Sequence, residues 1–145
     1  MSETEAVTQE EISAKKAEKR SLEKKKNESK SRMDDLDDQI DDLNRAIREM
    51  ERLETDFTAE KDKLEKDIHG TKKFKGANHN RLIDQSGEKL ITEMQAAKRS
   101  INKAADDLID LRTKIQNEKS KEYGIFSGLL KAYYKVQGWL EKFGN

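Results

Sequence analysis

The spacing of the apolar residues constrains this chain more than any other feature. Between residues 33 and 68 large apolar side chains return at alternating steps of three and four, interrupted only by Glu54 and Lys61, and the same rhythm resumes over residues 83 to 115. Gly87 is the weak position in the second stretch. This repeat is typical of the a/d seam of a coiled coil, in which each helix buries one narrow stripe.

The composition supports a helical chain with a thin core. Charged residues make up 41% of the sequence and hydrophobic residues 32%, and there is no proline and no cysteine. A chain this polar must confine its apolar residues to a stripe, because it lacks enough of them for an ordinary globular core. We therefore expect an all-α, elongated domain with no disulfide and no thiolate metal site.

The two heptad stretches are expected to fold against each other as an antiparallel two-helix hairpin, a coiled coil. When the chain is folded back between them, facing residue numbers add to 151 throughout, and a positions meet d positions. In this register Leu64 faces Gly87, and Asp37 lies near Arg112.

The hairpin is predicted over residues 32–118, with its tip at 69–80 and Gly70 suited to the left-handed position that ends a helix. Residues 1–31 are a charged extension with few large apolar residues, for which a frayed, partly disordered segment and a helix that continues the hairpin both remain open. Residues 119–145 form an aromatic-rich C-terminal segment.

The aromatic side chains of this segment must be shielded from water, and the sequence leaves three interpretations of what shields them. It packs on the N-terminal extension, it binds a partner protein, or it lies on a membrane surface. The membrane interpretation is the least favoured, because the excess of positive charge in this segment is small. Leu53 and Ile91, beside the predicted seam, indicate a second contact surface. The candidate partner-binding residues are Leu53, Ile91, Phe126, Tyr133, Tyr134 and Trp139.

The sequence offers no constellation for catalysis. Its two histidines, His69 and His79, both lie in the predicted tip, and it has no cysteine. The acidic run at residues 34–42 lacks the glycine and the distant glutamate of a calcium loop. We expect no enzymatic activity, no cofactor, no metal and no nucleic-acid partner. No apolar run is long enough to span a bilayer, and the acidic N-terminus is unlike a cleavable signal peptide.

The tip carries a family resemblance. Phe74, Lys75 and Gly76 lie between two helical arms of near-equal length. This arrangement resembles the Trp-x-Gly turn of the WXG-type helical hairpins of type VII secretion, with Phe74 at the tryptophan position and Gly76 at the glycine position. The layout looks most like the YwqH-like small α-helical proteins associated with LXG toxins. A Tyr-x-x-x-Asp/Glu export signal is not found near the C-terminus.

The resemblance implies a targeting or chaperone-like role. Such a protein binds the helical N-terminal domain of an LXG toxin and is delivered with it from the cytoplasm to the secretion apparatus. A second small helical protein and the secretion ATPase are further candidate partners, and the Phe74 tip is the expected contact for them. The alternative from another class is a structural coiled coil that associates with itself and has no role in secretion.

Overall fold

The computed structural model describes residues 7–72 and 77–144, with side chains described for 7–70 and 85–144. It contains two α-helices, α1 (Gln9–Lys72) and α2 (Ala77–Phe143). The two helices make many contacts with each other, so the prediction of an all-α helical hairpin is confirmed.

The start of α1 is fixed by a side-chain cap. The backbone N–H of Glu11 donates to the Thr8 hydroxyl oxygen at 3.2 Å, which satisfies one of the N–H groups that the first turn cannot pair internally. Glu10 and Glu11 place negative charge in that first turn, where the helix dipole favours it. The local sequence around Thr8 therefore determines where α1 begins.

The other end of α1 differs from the prediction. Gly70 lies inside the helix, which continues to Lys72, and none of the described glycines has a positive φ. The expectation that Gly70 ends the helix in a left-handed conformation is therefore wrong. The predicted turn residues Phe74 and Gly76 lie outside the described residues.

The chain divides into two compact units. Unit 1 consists of the chain up to Ile40 together with the chain from Lys114 onward, and unit 2 consists of Asp41–Thr113. The segment boundaries predicted at residues 31 and 118 fall inside continuous helices.

In unit 2 the inward stripe of α2 lies to one side of the predicted seam. Leu90 and Leu111, both predicted to lie in the seam, are each 44% exposed, whereas their neighbours Ile91 and Arg112 are half-buried and Ala105 is 8% exposed. The inward stripe of α2 therefore includes Ile91, Ala105 and Arg112, while the predicted seam residues Leu90 and Leu111 lie outside it. Ile91 belongs to the inward stripe, where the sequence had placed it beside the seam.

The register at Gly87 also differs from the prediction. A Cβ built on Gly87 would lie 2.8 Å from Cδ1 of Ile68, so Ile68 supplies the atoms nearest to this glycine, and not Leu64. The Nη1 of Arg112 donates to the Asn44 side-chain oxygen at 2.8 Å, not to Asp37. The residue numbers in these two contacts add to 155 and 156, four and five more than the predicted 151.

In unit 1 the N-terminal part of α1 is helical from Gln9. This agrees with the interpretation that the first helix of the hairpin starts well before residue 32. Ile115 and Val136 are the buried hydrophobic residues described in this unit, at 7% and 5% exposure. Most other inward positions are only half-buried. A single pair of helices covers one stripe on each helix and leaves the flanks open to solvent.

Candidate partner-binding surfaces

A buried polar cluster joins the two helices of unit 1. Ser29 is completely buried, and its hydroxyl donates to Oε1 of Glu122 at 2.7 Å. Arg32 donates to the same oxygen through Nε at 2.8 Å. The Glu122 side chain is 12% exposed, while that of Arg32 is 54% exposed, so the carboxylate is mostly enclosed and its cation reaches in from the surface.

This environment favours the ionised carboxylate. The hydrogen bond from Ser29 is the largest influence, and together with the Arg32 guanidinium it holds the pKa of Glu122 below its ordinary value of 4.5. Partial burial acts in the opposite direction but does not prevail. A charge-assisted pair of this kind links two helices at a fixed point, because its donors have defined directions. Lys119 and Asp37 form a second ion pair between the helices of unit 1.

The aromatic end of unit 1 is covered by lysines of α1. Nζ of Lys26 lies 4.6 Å from the ring centroid of Tyr133, and Nζ of Lys15 lies 5.6 Å from that of Trp139. Trp139 also packs against Phe143, with ring centroids 5.2 Å apart. Ammonium groups over ring faces are attractive, and lysine stems add apolar contact. This part of the aromatic segment therefore packs on the N-terminal part of α1, as one of the three interpretations held.

Both units nevertheless expose large apolar side chains. Tyr123 and Tyr134 in unit 1 are 63% and 61% exposed. Such residues bury large areas when they meet a partner, and exposed clusters of them mark interaction surfaces. The exposed large hydrophobic residues among the described positions are Leu53, Leu90, Leu111, Tyr123, Ile125 and Tyr134.

The predicted partner-binding residues separate into two groups. Leu53 and Tyr134 are exposed and available to a partner. The others, Ile91, Phe126, Tyr133 and Trp139, are half-buried on the inward sides of their helices. Tyr133 and Tyr134 adjoin each other with an edge-to-face contact, their ring centroids 5.7 Å apart, so an inward ring and an outward ring meet at this position.

Sequence reasoning missed Tyr123 and Ile125 as exposed candidates and missed the buried Ser29. A signal for Ser29 was available, since Ser29 and Glu122 obey the predicted sum of 151. The sum alone does not single out this pair, because a coiled-coil seam is defined by apolar side chains and both residues are polar. The exposure of Tyr123 follows from its position one residue after Glu122, on the flank of the inward stripe.

The described residues contain no group of three or more histidine or acidic side chains placed to hold a metal ion. The described helices include no segment that is both long and apolar enough to cross a membrane. The grooves are lined by long charged side chains. One in unit 1 lies among Lys16, Arg20, Glu23, Gln137 and Glu141, with no nucleophile beside a base.

No protein-family model, no curated protein and no solved structure matches the chain. The fold and its surfaces therefore define the class of protein, a two-helix α-hairpin with uncovered apolar flanks.

Proposed function

We propose that this protein is a non-enzymatic helical partner that completes a helix bundle with the helical N-terminal domain of an LXG toxin and accompanies that toxin to the type VII secretion apparatus. The bundle-completing role is supported by the exposed apolar flanks. The identity of the partner is supported by the likeness of Phe74 and Gly76, between two long helices, to the WXG-type turn.

The observation that carries the proposal is the exposure of Tyr123 and Tyr134. Each leaves more than half of its surface in water, although neighbouring rings on the same helix pack against α1. Interfaces are enriched in tyrosine and tryptophan, which bury much area for little loss of side-chain freedom. A third helix laid along this flank would cover both rings.

The test is binding to the N-terminal domain of an LXG toxin produced with this chain in the same cells. We expect the two chains to co-purify as a complex of defined mass, and the complex to melt at a higher temperature than this chain alone. Replacing both Tyr123 and Tyr134 by serine should weaken the complex by about tenfold or more, because each truncation removes a buried aromatic contact.

The matched control is Glu118→Ser, an exposed polar residue on the same helix. It should leave the affinity unchanged. Helix content of the free chain should be similar in both variants, because none of these side chains is buried in it. A stable homo-oligomer with no affinity for the toxin domain would instead favour the self-associating coiled coil.

A further inference from the structure

The outward side of α2 in unit 1 carries a stripe of unusual composition. Its members follow one another at steps of four and three, which places them on one face of the helix, and all are exposed. We name it the lysine-glycine stripe, formed by Gly124, Gly128, Lys131, Lys135, Gly138 and Lys142.

No contact within the described part of the chain requires glycine at the three glycine positions of this stripe. A Cβ added to Gly124, Gly128 or Gly138 would meet no atom within 4 Å, and none of the three has a positive φ. Glycine weakens a helix interior relative to alanine, so these positions reduce helix stability without relieving any internal contact. What they provide is bare backbone on an exposed face, which another chain can approach closely.

All the charged residues of the stripe are lysines, so its charge is positive. Lys131 and Lys135 lie one turn apart, and none of the described carboxylates lies within ion-pair distance of either ammonium group. Ile125 and Tyr134, at the flanks of the stripe, are 51% and 61% exposed. An occupant that complements this face carries carboxylates opposite the lysines and small or apolar side chains opposite the glycines.

We propose that the lysine-glycine stripe is a docking surface for an acidic amphipathic α-helix of a partner protein, packed closely at Gly124 and Gly128 and paired with Lys131 and Lys135. This inference rests on the proposed function, because it names the surface that a helical partner uses. A lipid surface fits less well, since an amphipathic helix that binds a membrane places apolar side chains at the centre of its buried face, where the glycines are.

The probe is a synthetic acidic helix about four heptads long, with leucine and alanine on one face and glutamates beside it, compared with a counterpart carrying lysines in place of the glutamates. Fluorescence anisotropy with the full chain should show binding of the acidic peptide only. That binding should weaken as salt is added, because the lysines are exposed. The double variant Lys131→Glu, Lys135→Glu should lose about tenfold or more in affinity.

Two further variants separate docking from general effects. Lys24→Glu with Lys25→Glu makes the same charge change on exposed positions of α1 and should retain the affinity of the native chain. Gly128→Leu should raise the helix content, since leucine is the better helix former, and yet weaken binding by about tenfold because it blocks close approach. Unchanged binding in Gly128→Leu, or equal losses in both lysine pairs, would overturn the inference.

Failure of this inference is distinguishable from failure of the proposed function. A toxin-domain complex that forms equally well with the Lys131→Glu, Lys135→Glu variant would overturn the stripe and leave the partner role standing. If the acidic peptide binds through the stripe but no complex forms with the toxin domain, the stripe stands as a docking surface and the proposed partner is overturned. Equal binding of a single-stranded oligonucleotide or of anionic vesicles, lost in the same variant, would also overturn the choice of an acidic helix.

Discussion

Gly87 offers the sharpest test of how the two helices of unit 2 meet. The change to alanine normally stabilises the interior of a helix by about 0.8 to 1.0 kcal/mol, since glycine is the more flexible residue in the unfolded chain. At Gly87 the new methyl group would lie 2.8 Å from Cδ1 of Ile68 and 3.4 Å from its Cγ1 and Cγ2. The gain in propensity is therefore opposed by overpacking.

The magnitude follows from these two effects. Overpacking of a fitted site costs about 1 to 3 kcal/mol, and the nearest atom is the flexible end of a side chain, which places the cost in the lower part of that range. We expect Gly87→Ala to change the free energy of unfolding by between about 0 and −1 kcal/mol. Gly128→Ala, whose methyl group would meet nothing within 4 Å, should add about 1 kcal/mol.

A double-mutant cycle in urea, followed by circular dichroism, identifies the contact. Ile68→Val removes Cδ1, the atom closest to the new methyl group, and by itself should cost about 0.5 to 1.5 kcal/mol. In the Gly87→Ala background the same truncation should cost less, because it also relieves the overpacking. Amide exchange near Gly87 reports whether the change is local.

The outcome that would refute this reasoning is specific. If Gly87→Ala stabilises the protein as much as Gly128→Ala and shows no coupling to Ile68, the close approach does not exist. If Gly87→Ala instead couples to a truncation at Leu64, the predicted register with facing numbers that add to 151 is the correct one.

The remaining predictions concern Ile47 in unit 2 and Glu122 in unit 1. Ile47 is 4% exposed, so Ile47→Ala should cost about 2 to 4 kcal/mol in urea unfolding, whereas Leu111→Ala, at a position 44% exposed, should cost less than about 1 kcal/mol. Equal costs would contradict the observed inward stripe. Because the pKa of Glu122 is lowered in the fold, its contribution to stability is present above its ordinary value of 4.5 and is lost as pH falls through the lowered value. Glu122→Gln should therefore flatten the acid limb of the stability profile, and an unchanged acid limb would exclude this role.

Helix content and the hairpin could be predicted from the sequence because the heptad repeat depends on many residues at once. The tip could not be predicted in the same way. Gly70 is a common C-terminal signal, yet the helix continues through it, since helix ends depend on a few local contacts that neighbouring turns can override.

The uncertainty over residues 1–31 has a different physical cause. Among large apolar residues only Ile12 and Leu22 lie in register there, and so few leave open whether the segment is frayed or helical. In the structure the inward positions between them include Lys15 and Lys19, whose ammonium groups lie near the aromatic rings of Trp139 and Tyr133. Lysine stems and ring faces thus take the place of leucines in the contact, and a hydrophobicity count does not register them.

The inward stripe on α2 could not be predicted from the sequence. Starting from Ile101, apolar residues stand both three positions on, at Ala104, and four positions on, at Ala105, so the helix carries two overlapping heptad stripes. The pattern favours the stripe that holds Leu90 and Leu111 over the stripe that holds Lys98 and Arg112. The structure nevertheless turns the stripe that includes Arg112 towards α1, where Nη1 of Arg112 donates to the Asn44 side-chain oxygen, and leaves Leu111 exposed. The pairing of α1 with α2 therefore decides which apolar residues stay exposed for a partner. A substitution between the helices that shifted this pairing would change the partner-binding surface even though it replaced no residue of that surface.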